Sequence, residues 1–346
     1  MKKNVVVVGY GGMGSWHVNH ALKSDVVALK GIYDIDLKKV ELAHTNGIYA
    51  YQSYEDVLSD KDVDIVVIAI PNDQHKDVVI AALEAGKHVI CEKPVTLSTP
   101  LLEEMIASAK KNNRVFSVHQ NRRYDVDFLA MKKIHDSGEI GKIFNIESRV
   151  HGSRGIPSDW RGMKKYGGGM IYDWGIHLID QIIMIKGKGV KYVYCRLDNI
   201  TNKEVDDGFK LELIYDDGSR AYIELGTYNF IAMPRFYMQG MGGTALITDW
   251  REKAKVTKCK YWHESDVLPV ETAAGLTKTM APRDSVTVDE YEIEKPASDV
   301  HDYYRNFCAT IDGNATSLVT YEDMLFDMKI MEAAFKSAEL GQVIEF

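Results

Sequence analysis

Apolar residues in the first third of the chain fall into two alternating patterns. Continuous β-branched runs are typical of strands buried on both faces, and they predict strands at Val5–Val8, Val26–Tyr33, Ile65–Ile70, His88–Cys91 and Val115–Val118. Segments with helical periodicity separate these runs, with N-caps expected at Asp36, at Asn72 or Asp73, and at Thr99 before Pro100. Strands that alternate with helices predict an α/β, doubly wound parallel sheet, which we expect to end near residue 122.

The remaining residues, 123–346, show strands in succession with helices at both ends. Helices are predicted at Val126–Asp136, Met170–Ile185, Asp299–Ala309 and Tyr321–Leu340. Strands are predicted at Ile143–Val150, Phe236–Ile247, Lys255–Trp262 and Ser285–Ile293, with a hairpin from Phe209 through Asp217-Gly218 to Leu225. This order predicts an α+β domain with a large, mostly antiparallel open sheet.

Composition narrows the classes of function. The 346 residues suit about two domains, and 45% hydrophobic with 27% charged residues excludes a disordered or fibrous chain. A net charge of −8 gives no basic footprint for nucleic acid or anionic lipid. The scattered cysteines and the short apolar run Val5–Val8, which stops at Gly9, favour a cytoplasmic protein without a signal peptide or a membrane partner.

The first predicted strand leads directly into a G-x-G-x-x-G sequence, Gly9-Tyr10-Gly11-Gly12-Met13-Gly14. Gly9 permits the tight turn, Gly11 lets the backbone approach a pyrophosphate, and Gly14 lets the following helix pack on the strand. Asp34 ends the second strand at the spacing of about 20 residues expected for an acid that accepts hydrogen bonds from a ribose. Its carboxylate would repel a 2′-phosphate, so NAD is favoured over NADP. The alternative is a purely structural glycine turn.

Two further segments carry candidate catalytic residues. Cys91-Glu92-Lys93-Pro94 ends the fourth strand, at the carboxyl edge where α/β sheets bind ligands. Asp173, His177 and Asp180 are spaced i, i+4, i+7 and should share one helix face, where a His beside an acid can act as a general acid/base. The ordinary alternatives are a solvated lysine and a surface Asp–His pair.

Taken in chain order, four motifs resemble those of the glucose–fructose oxidoreductase / inositol dehydrogenase (Gfo/Idh/MocA) family. They are G-x-G-x-x-G, Ile70-Pro71-Asn72…His75, Cys91-Glu92-Lys93-Pro94 and Gly-Gly-Gly…Asp…His…Asp. The resemblance covers nearly the whole chain and implies an NAD-binding Rossmann domain at 1–122. It also implies an α+β substrate-binding and oligomerisation domain at 123–346, a homo-oligomer (dimer or tetramer), and commonly a cis peptide before Pro94.

The resemblance also implies roles for individual residues. Lys93 would bind the reacting hydroxyl, His177 would be the general acid/base, and Asp173 would orient both. The implied cofactor contacts are Gly9, Gly11, Gly12, Met13, Gly14, Asp34, Ile70, Pro71, Asn72, His75, Glu92, Lys93, Asn121, Trp160 and Arg161. The implied substrate contacts are Lys93, Arg123, Tyr124, Trp160, Asp173 and His177, and an aromatic platform of Trp160, Tyr166 and Trp174 would suit a pyranose.

The resemblance implies an NAD(P)-dependent oxidoreductase acting on a secondary alcohol or ketone of a sugar, a glycoside (oxidised at C3) or a cyclitol. Two alternatives stay open. One is a hydrolase or lyase of the same family that recycles NAD within each turnover, and the other is a non-catalytic dinucleotide sensor. No metal site is expected, because His17 and His20 lack further ligands nearby in sequence.

Overall fold

The first sheet has five parallel strands in the order β2-β1-β3-β4-β5. They are β1 (Lys3–Val8), β2 (Val27–Tyr33), β3 (Ile65–Ile68), β4 (His88–Cys91) and β5 (Phe116–Val118). The computed structural model describes residues 2–260, 269–277 and 280–346. The central strands β1 and β3 are buried on both faces, as their continuous apolar runs predict. The predicted doubly wound parallel sheet is confirmed.

Five helices pack around this sheet. They are α1 (Gly12–Lys23), α2 (Leu37–Thr45), α3 (Tyr54–Ser59), α4 (His75–Glu84) and α5 (Thr99–Lys111). The chain leaves β1 for β2 on one side and returns to β3 on the other, so a crevice opens at the carboxyl ends of β1 and β3. The glycine loop and the segments that follow β3 and β4 therefore meet at one edge.

Three predicted helix starts have mixed outcomes. Asp36 caps α2 as predicted, because its carboxylate accepts the Lys38 N–H at 2.9 Å. The caps predicted at Asn72 or Asp73 are wrong, since a 3₁₀ turn (Asn72–Gln74) precedes α4. Thr99 is the first helical residue and not the N-cap, because its hydroxyl donates to Glu332 Oε2 at 2.8 Å.

The second sheet has nine strands in the order β15-β12-β11-β10-β6-β9-β8-β7-β16. They are β6 (Ile143–His151), β7 (Val190–Asp198), β8 (Gly208–Tyr215), β9 (Arg220–Gly226), β10 (Phe236–Gly240), β11 (Gly243–Ile247), β12 (Ala254–Cys259), β15 (Val288–Ile293) and β16 (Ile344–Glu345). A separate hairpin consists of β13 (Val270–Thr272) and β14 (Gly275–Thr277). Neighbours in the nine-stranded sheet pair antiparallel, apart from β6 and β9, over the described residues.

The predicted antiparallel sheet is therefore confirmed, with differences in individual strands. The run Phe236–Ile247 divides into the hairpin β10–β11, and β7 was not predicted. The strand predicted at Lys255–Trp262 ends at Cys259, and the last two residues of that prediction lie outside the described residues.

The described residues of this second part form the helices α6 (Val126–Ser137), α7 (Ile176–Lys186), α8 (Asp302–Ile311) and α9 (Tyr321–Leu340). The helix predicted from Met170 begins with a π-helical turn, Ile171–Gly175, before α7. Helix α8 returns to the first sheet, where Tyr304 contacts His17 of α1. None of the described helices is long and apolar enough to cross a bilayer.

Candidate active site

The glycine loop between β1 and α1 combines close packing with open space. A Cβ on Gly14 would lie 1.8 Å from the carbonyl oxygen of Gly9, and Gly9 itself has a φ of +91°. A Cβ on Gly11 or Gly12 would meet no described atom within 4 Å. The fold therefore requires Gly9 and Gly14, whereas Gly11 and Gly12 keep space open before the first turn of α1. This cradle fits the pyrophosphate of a dinucleotide.

Asp34 lies at the end of β2 beside this loop. Its Oδ2 accepts the N–H of Tyr10 at 2.6 Å, and its Oδ1 accepts the N–H of Asp36 at 2.8 Å. These bonds hold the carboxylate at the edge of the cradle, with lone pairs left for ribose hydroxyls.

The segment after β3 supports the neighbouring loops. His75 is fully buried, and its ring nitrogens lie 2.9 Å from the carbonyl oxygen of Ile70 and 3.0 Å from that of Pro94. Asn72 donates to the carbonyl oxygen of Gly167 at 2.9 Å. His75 is therefore not placed to contact a cofactor as the resemblance implied, because main-chain carbonyls occupy both ring nitrogens. Both residues tie the β3 loop to the segments that carry Lys93 and Asp173.

Lys93 and Asp173 form the central ion pair of the site. Lys93 Nζ donates to Asp173 Oδ1 at 2.8 Å and to the carbonyl oxygen of the same residue at 2.7 Å. Arg161 Nε lies 3.3 Å from Asp173 Oδ2. Burial opposes ionisation of Asp173, but the charges of Lys93 and Arg161 outweigh it and lower its pKa. The peptide bond between Lys93 and Pro94 is cis, as the resemblance implied.

His177 is close enough to this pair for the charge of Lys93 to act on it, and no described residue forms an ion pair with its ring. Its Nδ1 is buried and has no hydrogen-bond partner among the described residues. Burial, and then the positive charges of Lys93 and Arg122, lower the pKa of His177 well below its usual value. The ring is therefore neutral at neutral pH and can accept a proton.

The predicted Asp–His pairing on one helix face is wrong. Asp173 contacts Lys93 and Arg161, while Asp180 pairs with Arg123. The π-helical turn Ile171–Gly175 widens the helix at Asp173, so an i, i+4 spacing no longer aligns that residue with His177.

The adjacent residues Arg122 and Arg123 differ in what their side chains contact. Arg123, a predicted substrate contact, has a side chain that is only 9% exposed, and its Nε donates to Asp180 Oδ2 at 2.8 Å. These donors are occupied inside the protein, so this prediction is corrected. Arg122 is close enough to His177 for its charge to act on that ring, and its guanidinium lies 3.9 Å from the centre of the Trp174 ring, with Nη1 3.0 Å from Asp125 Oδ2. Sequence alone gave no signal that separates the two.

The predicted aromatic platform is not a free surface. A cation lies over each ring: Arg122 over Trp174, Arg161 over Trp160 at 4.6 Å, and Lys165 over Tyr166 at 4.5 Å. A ligand approaching Trp174 from the side of Arg122 therefore meets a guanidinium before it meets the ring.

Asn121 and Tyr124 stand at the two ends of the 3₁₀ turn Asn121–Tyr124, which follows β5. Asn121 Oδ1 is buried and without a partner among the described residues, which fits an acceptor for the carboxamide of a nicotinamide. The carbonyl oxygen of Tyr124 accepts the Ser298 hydroxyl, and burial raises the pKa of its phenol to about 12.

Glu92 is buried beneath the site. Its Oε1 lies 2.7 Å from His17 Nε2 and 2.9 Å from His119 Nδ1, and its Oε2 accepts the N–H of Lys93 at 3.2 Å. His17 thus has neighbours that its sequence context did not reveal. The separations within this group are those of hydrogen bonds.

Family models of known proteins match both the first and the second part of this chain. The oxidoreductase family with an NAD-binding Rossmann fold (GFO_IDH_MocA) matches residues 3–120, and the GFO/IDH/MocA C-terminal domain matches residues 128–246. A crystal structure of an NAD-binding protein from Listeria innocua is 42% identical, with a TM-score of 0.96 over 100% of this chain and 99% of that one.

Two curated relatives extend the likeness. The scyllo-inositol 2-dehydrogenase (NADP(+)) IolW of Bacillus subtilis is 27% identical over 98% of this chain and 95% of that protein. An uncharacterized oxidoreductase of Schizosaccharomyces pombe is 37% identical, but the match spans 49% of this chain and only 46% of that protein. With the cradle, the Lys93–Asp173 pair and the matched domains together, the chain belongs to the Gfo/Idh/MocA family of NAD(P)-binding oxidoreductases.

Proposed function

We propose that this protein transfers hydride between NAD and a secondary alcohol or ketone of a sugar, a glycoside or a cyclitol. The observation that carries the proposal is the Lys93–Asp173 ion pair at the edge that also carries the glycine cradle, together with the buried His177, whose Nδ1 has no partner among the described residues. The likeness to a scyllo-inositol 2-dehydrogenase supports a cyclitol as one candidate substrate class.

The side chains divide the proton chemistry between them. The bound nicotinamide supplies a hydride acceptor at C4. In alcohol oxidation, His177 takes the hydroxyl proton while the Lys93 ammonium donates a hydrogen bond to the same oxygen. Asp173 holds that ammonium in place and balances its charge. In ketone reduction, the protonated His177 returns the proton to the oxygen.

Arg122 replaces Arg123 as the proposed substrate arginine. Contact with the Trp174 ring and the bond to Asp125 fix the plane of the guanidinium, while 28% of the side chain is exposed. Its N–H groups other than the one bonded to Asp125 have no partner among the described residues. A fixed planar fork of this kind suits a pair of neighbouring hydroxyls on a polyol.

Asp34 supports NAD rather than NADP as the cofactor. A 2′-phosphate at the end of β2 would face a carboxylate that main-chain N–H groups already hold in place. The relative IolW is named for NADP, so both cofactors belong in the test.

The nine-stranded sheet supports a homo-oligomer, either a dimer or a tetramer. Glu147, Arg149 and Glu224 form an ion-pair network on neighbouring strands of this sheet, beside the half-buried Tyr222. We infer that a second subunit covers the face of the sheet that carries these charged side chains. We also infer that the enzyme is cytoplasmic. Light scattering on the purified protein measures the mass, and a monomer at all concentrations would refute this part.

The function is tested by following nicotinamide absorbance with NAD or NADP and a panel of cyclitols, sugars and glycosides. Wild type should form reduced cofactor with at least one class, and Lys93→Met should abolish turnover while cofactor binding remains. Lys3→Met is the matched control, because Lys3 begins β1, at the end of the strand opposite the glycine cradle, where it pairs with Asp312. Product formed without net reduced cofactor would indicate internal recycling. Binding without any turnover in wild type would indicate a sensor.

A further inference from the structure

A buried carboxylate lies between two imidazoles on the floor of the site. We call His17, Glu92 and His119 the Glu92 cluster; all three residues are at most 5% exposed. Glu92 Oε1 faces a nitrogen of each ring, at 2.7 Å for His17 and 2.9 Å for His119. On its far side, His17 Nδ1 contacts the hydroxyl of Tyr304. The proposed proton chemistry uses none of these three side chains.

Both rings donate to the carboxylate in a neutral form. Burial, and then the neighbouring His119, lower the pKa of His17 to about 4, so this ring is uncharged at neutral pH. With the Tyr304 hydroxyl donating to Nδ1, the proton of His17 is on Nε2, facing Glu92. Despite burial, His119 and His17 lower the pKa of Glu92 well below its usual value, so the carboxylate is ionised.

The contacts of His119 also favour an uncharged ring. Its Nδ1 faces Glu92, but its Nε2 is buried without a hydrogen-bond partner among the described residues. A charged imidazolium would leave a buried N–H unpaired there, whereas a neutral ring leaves only a lone pair. The Glu92 cluster therefore carries one net negative charge.

This charge is not neutralised by the nearest cation. Lys93 contacts Glu92 through its main-chain N–H, while its ammonium is paired with Asp173. The field of Glu92 reaches the reaction centre, since it is among the charges that act on the pKa of His177.

The position of the cluster places this charge near the reacting end of the cofactor. Helix α1 begins at the glycine cradle and carries His17, while Glu92 directly precedes Lys93 in the chain. A nicotinamide held by the cradle with its reacting carbon at Lys93 would therefore have the Glu92 cluster as a neighbour. The oxidised nicotinamide ring is a cation, and the reduced ring is neutral.

We propose that the Glu92 cluster selects between the redox states of the cofactor by favouring the oxidised form over the reduced form. This inference rests on the proposed function and adds a direction to it. Stabilising the oxidised cofactor moves the equilibrium of the bound reactants toward alcohol plus oxidised cofactor. The site is thereby biased toward reduction of a ketone.

The test measures the dissociation constants of the two forms of the cofactor, NAD⁺ and NADH, by titration calorimetry. Removing the charge with Glu92→Gln should raise the ratio Kd(NAD⁺)/Kd(NADH) by about tenfold, mainly through weaker NAD⁺ binding. Glu92→Met removes the same charge with an apolar chain and keeps the test open if the amide variant does not fold. Tyr304→Phe is the matched control: it removes the contact with His17 but no charge, so the ratio should stay at the wild-type value.

The possible outcomes separate the two proposals. An unchanged ratio in a folded Glu92 variant that binds both forms would overturn the redox selection and leave the proposed function standing. Failure of wild type to bind either form would overturn the proposed function. A ratio that falls in the Glu92 variants would reverse the sign and also overturn the selection.

Discussion

Replacing Asp173 with Asn should test whether the Asp173 carboxylate positions the ammonium of Lys93. The substitution keeps the shape of the side chain and an acceptor oxygen but removes its negative charge. Lys93 Nζ keeps the carbonyl oxygen of residue 173, at 2.7 Å, and loses its ionic partner at 2.8 Å. Arg161 keeps Asp159 as a partner, also at 2.8 Å.

The size of the effect is worked out from the lost ion pair with Lys93, because Arg161, which also loses Asp173, keeps Asp159. A hydrogen bond between charged groups contributes about 1.5–3 kcal/mol. If the bond serves to aim the ammonium at the substrate oxygen, its loss raises the barrier by that amount. We therefore expect kcat/KM to fall about 10- to 100-fold, since roughly 1.4 kcal/mol is a factor of ten.

The assay is kcat/KM in both directions, together with calorimetric titration of the cofactor, which should bind Asp173→Asn as it binds wild type. Asp159→Asn is the matched control, because it removes the same charge from the other side of Arg161 without touching Lys93. Wild-type kcat/KM in Asp173→Asn, or an equal loss in Asp159→Asn, would refute the reasoning.

Three further predictions test the cradle, the base and the core. Gly11→Val should abolish NAD binding at an unchanged melting temperature, because a Cβ at this position meets no described atom. Gly14→Val should abolish NAD binding and also lower the melting temperature. If the two variants gave the same NAD binding in calorimetry and the same melting temperature, this prediction would be contradicted. Oxidation needs neutral His177, so kcat/KM should fall only in acid, and Arg122→Met should raise the His177 pKa and move that acidic limb to higher pH. If the acidic limb of kcat/KM lay at the same pH in Arg122→Met as in wild type, Arg122 would not be lowering the pKa of His177. Arg235→Met leaves Asp127 buried without its ionic partner at 2.9 Å and should cost about 3–5 kcal/mol of unfolding free energy, part of it recovered in the double variant with Asp127→Asn. Urea denaturation giving less than about 1 kcal/mol would refute it.

Local sequence pattern predicts those parts of the fold whose periodicity is undisturbed. The buried runs of β1 and β3 and the strand–loop–helix of the cradle are of this kind. Strand β7 escaped prediction because a register shift between Val190 and Tyr192 interrupts its alternation. Helix α3 begins with a capping box of Ser53 and Asp56, which is a local signal for a helix start.

Contacts within the site depend on partners that are distant in sequence. Lys93 and Asp173 are 80 positions apart, and only the fold brings their side chains to 2.8 Å. Whether Arg122 or Arg123 faces the cleft is decided by Asp180 on α7, which binds Arg123. Local propensity does not encode such choices, since they arise from tertiary packing.

If the protein is an oxidoreductase of the proposed kind, hydride passes from a carbinol carbon to the nicotinamide at a site that contains Lys93. The most direct measurement follows deuterium from carbinol-labelled cyclitols, sugars and glycosides into the nicotinamide pool by mass spectrometry. Wild type should place one deuterium in the reduced cofactor for at least one substrate class, and Lys93→Met should place none. A bound cofactor that acquires no label from any class, or label transfer that persists in Lys93→Met, would contradict it.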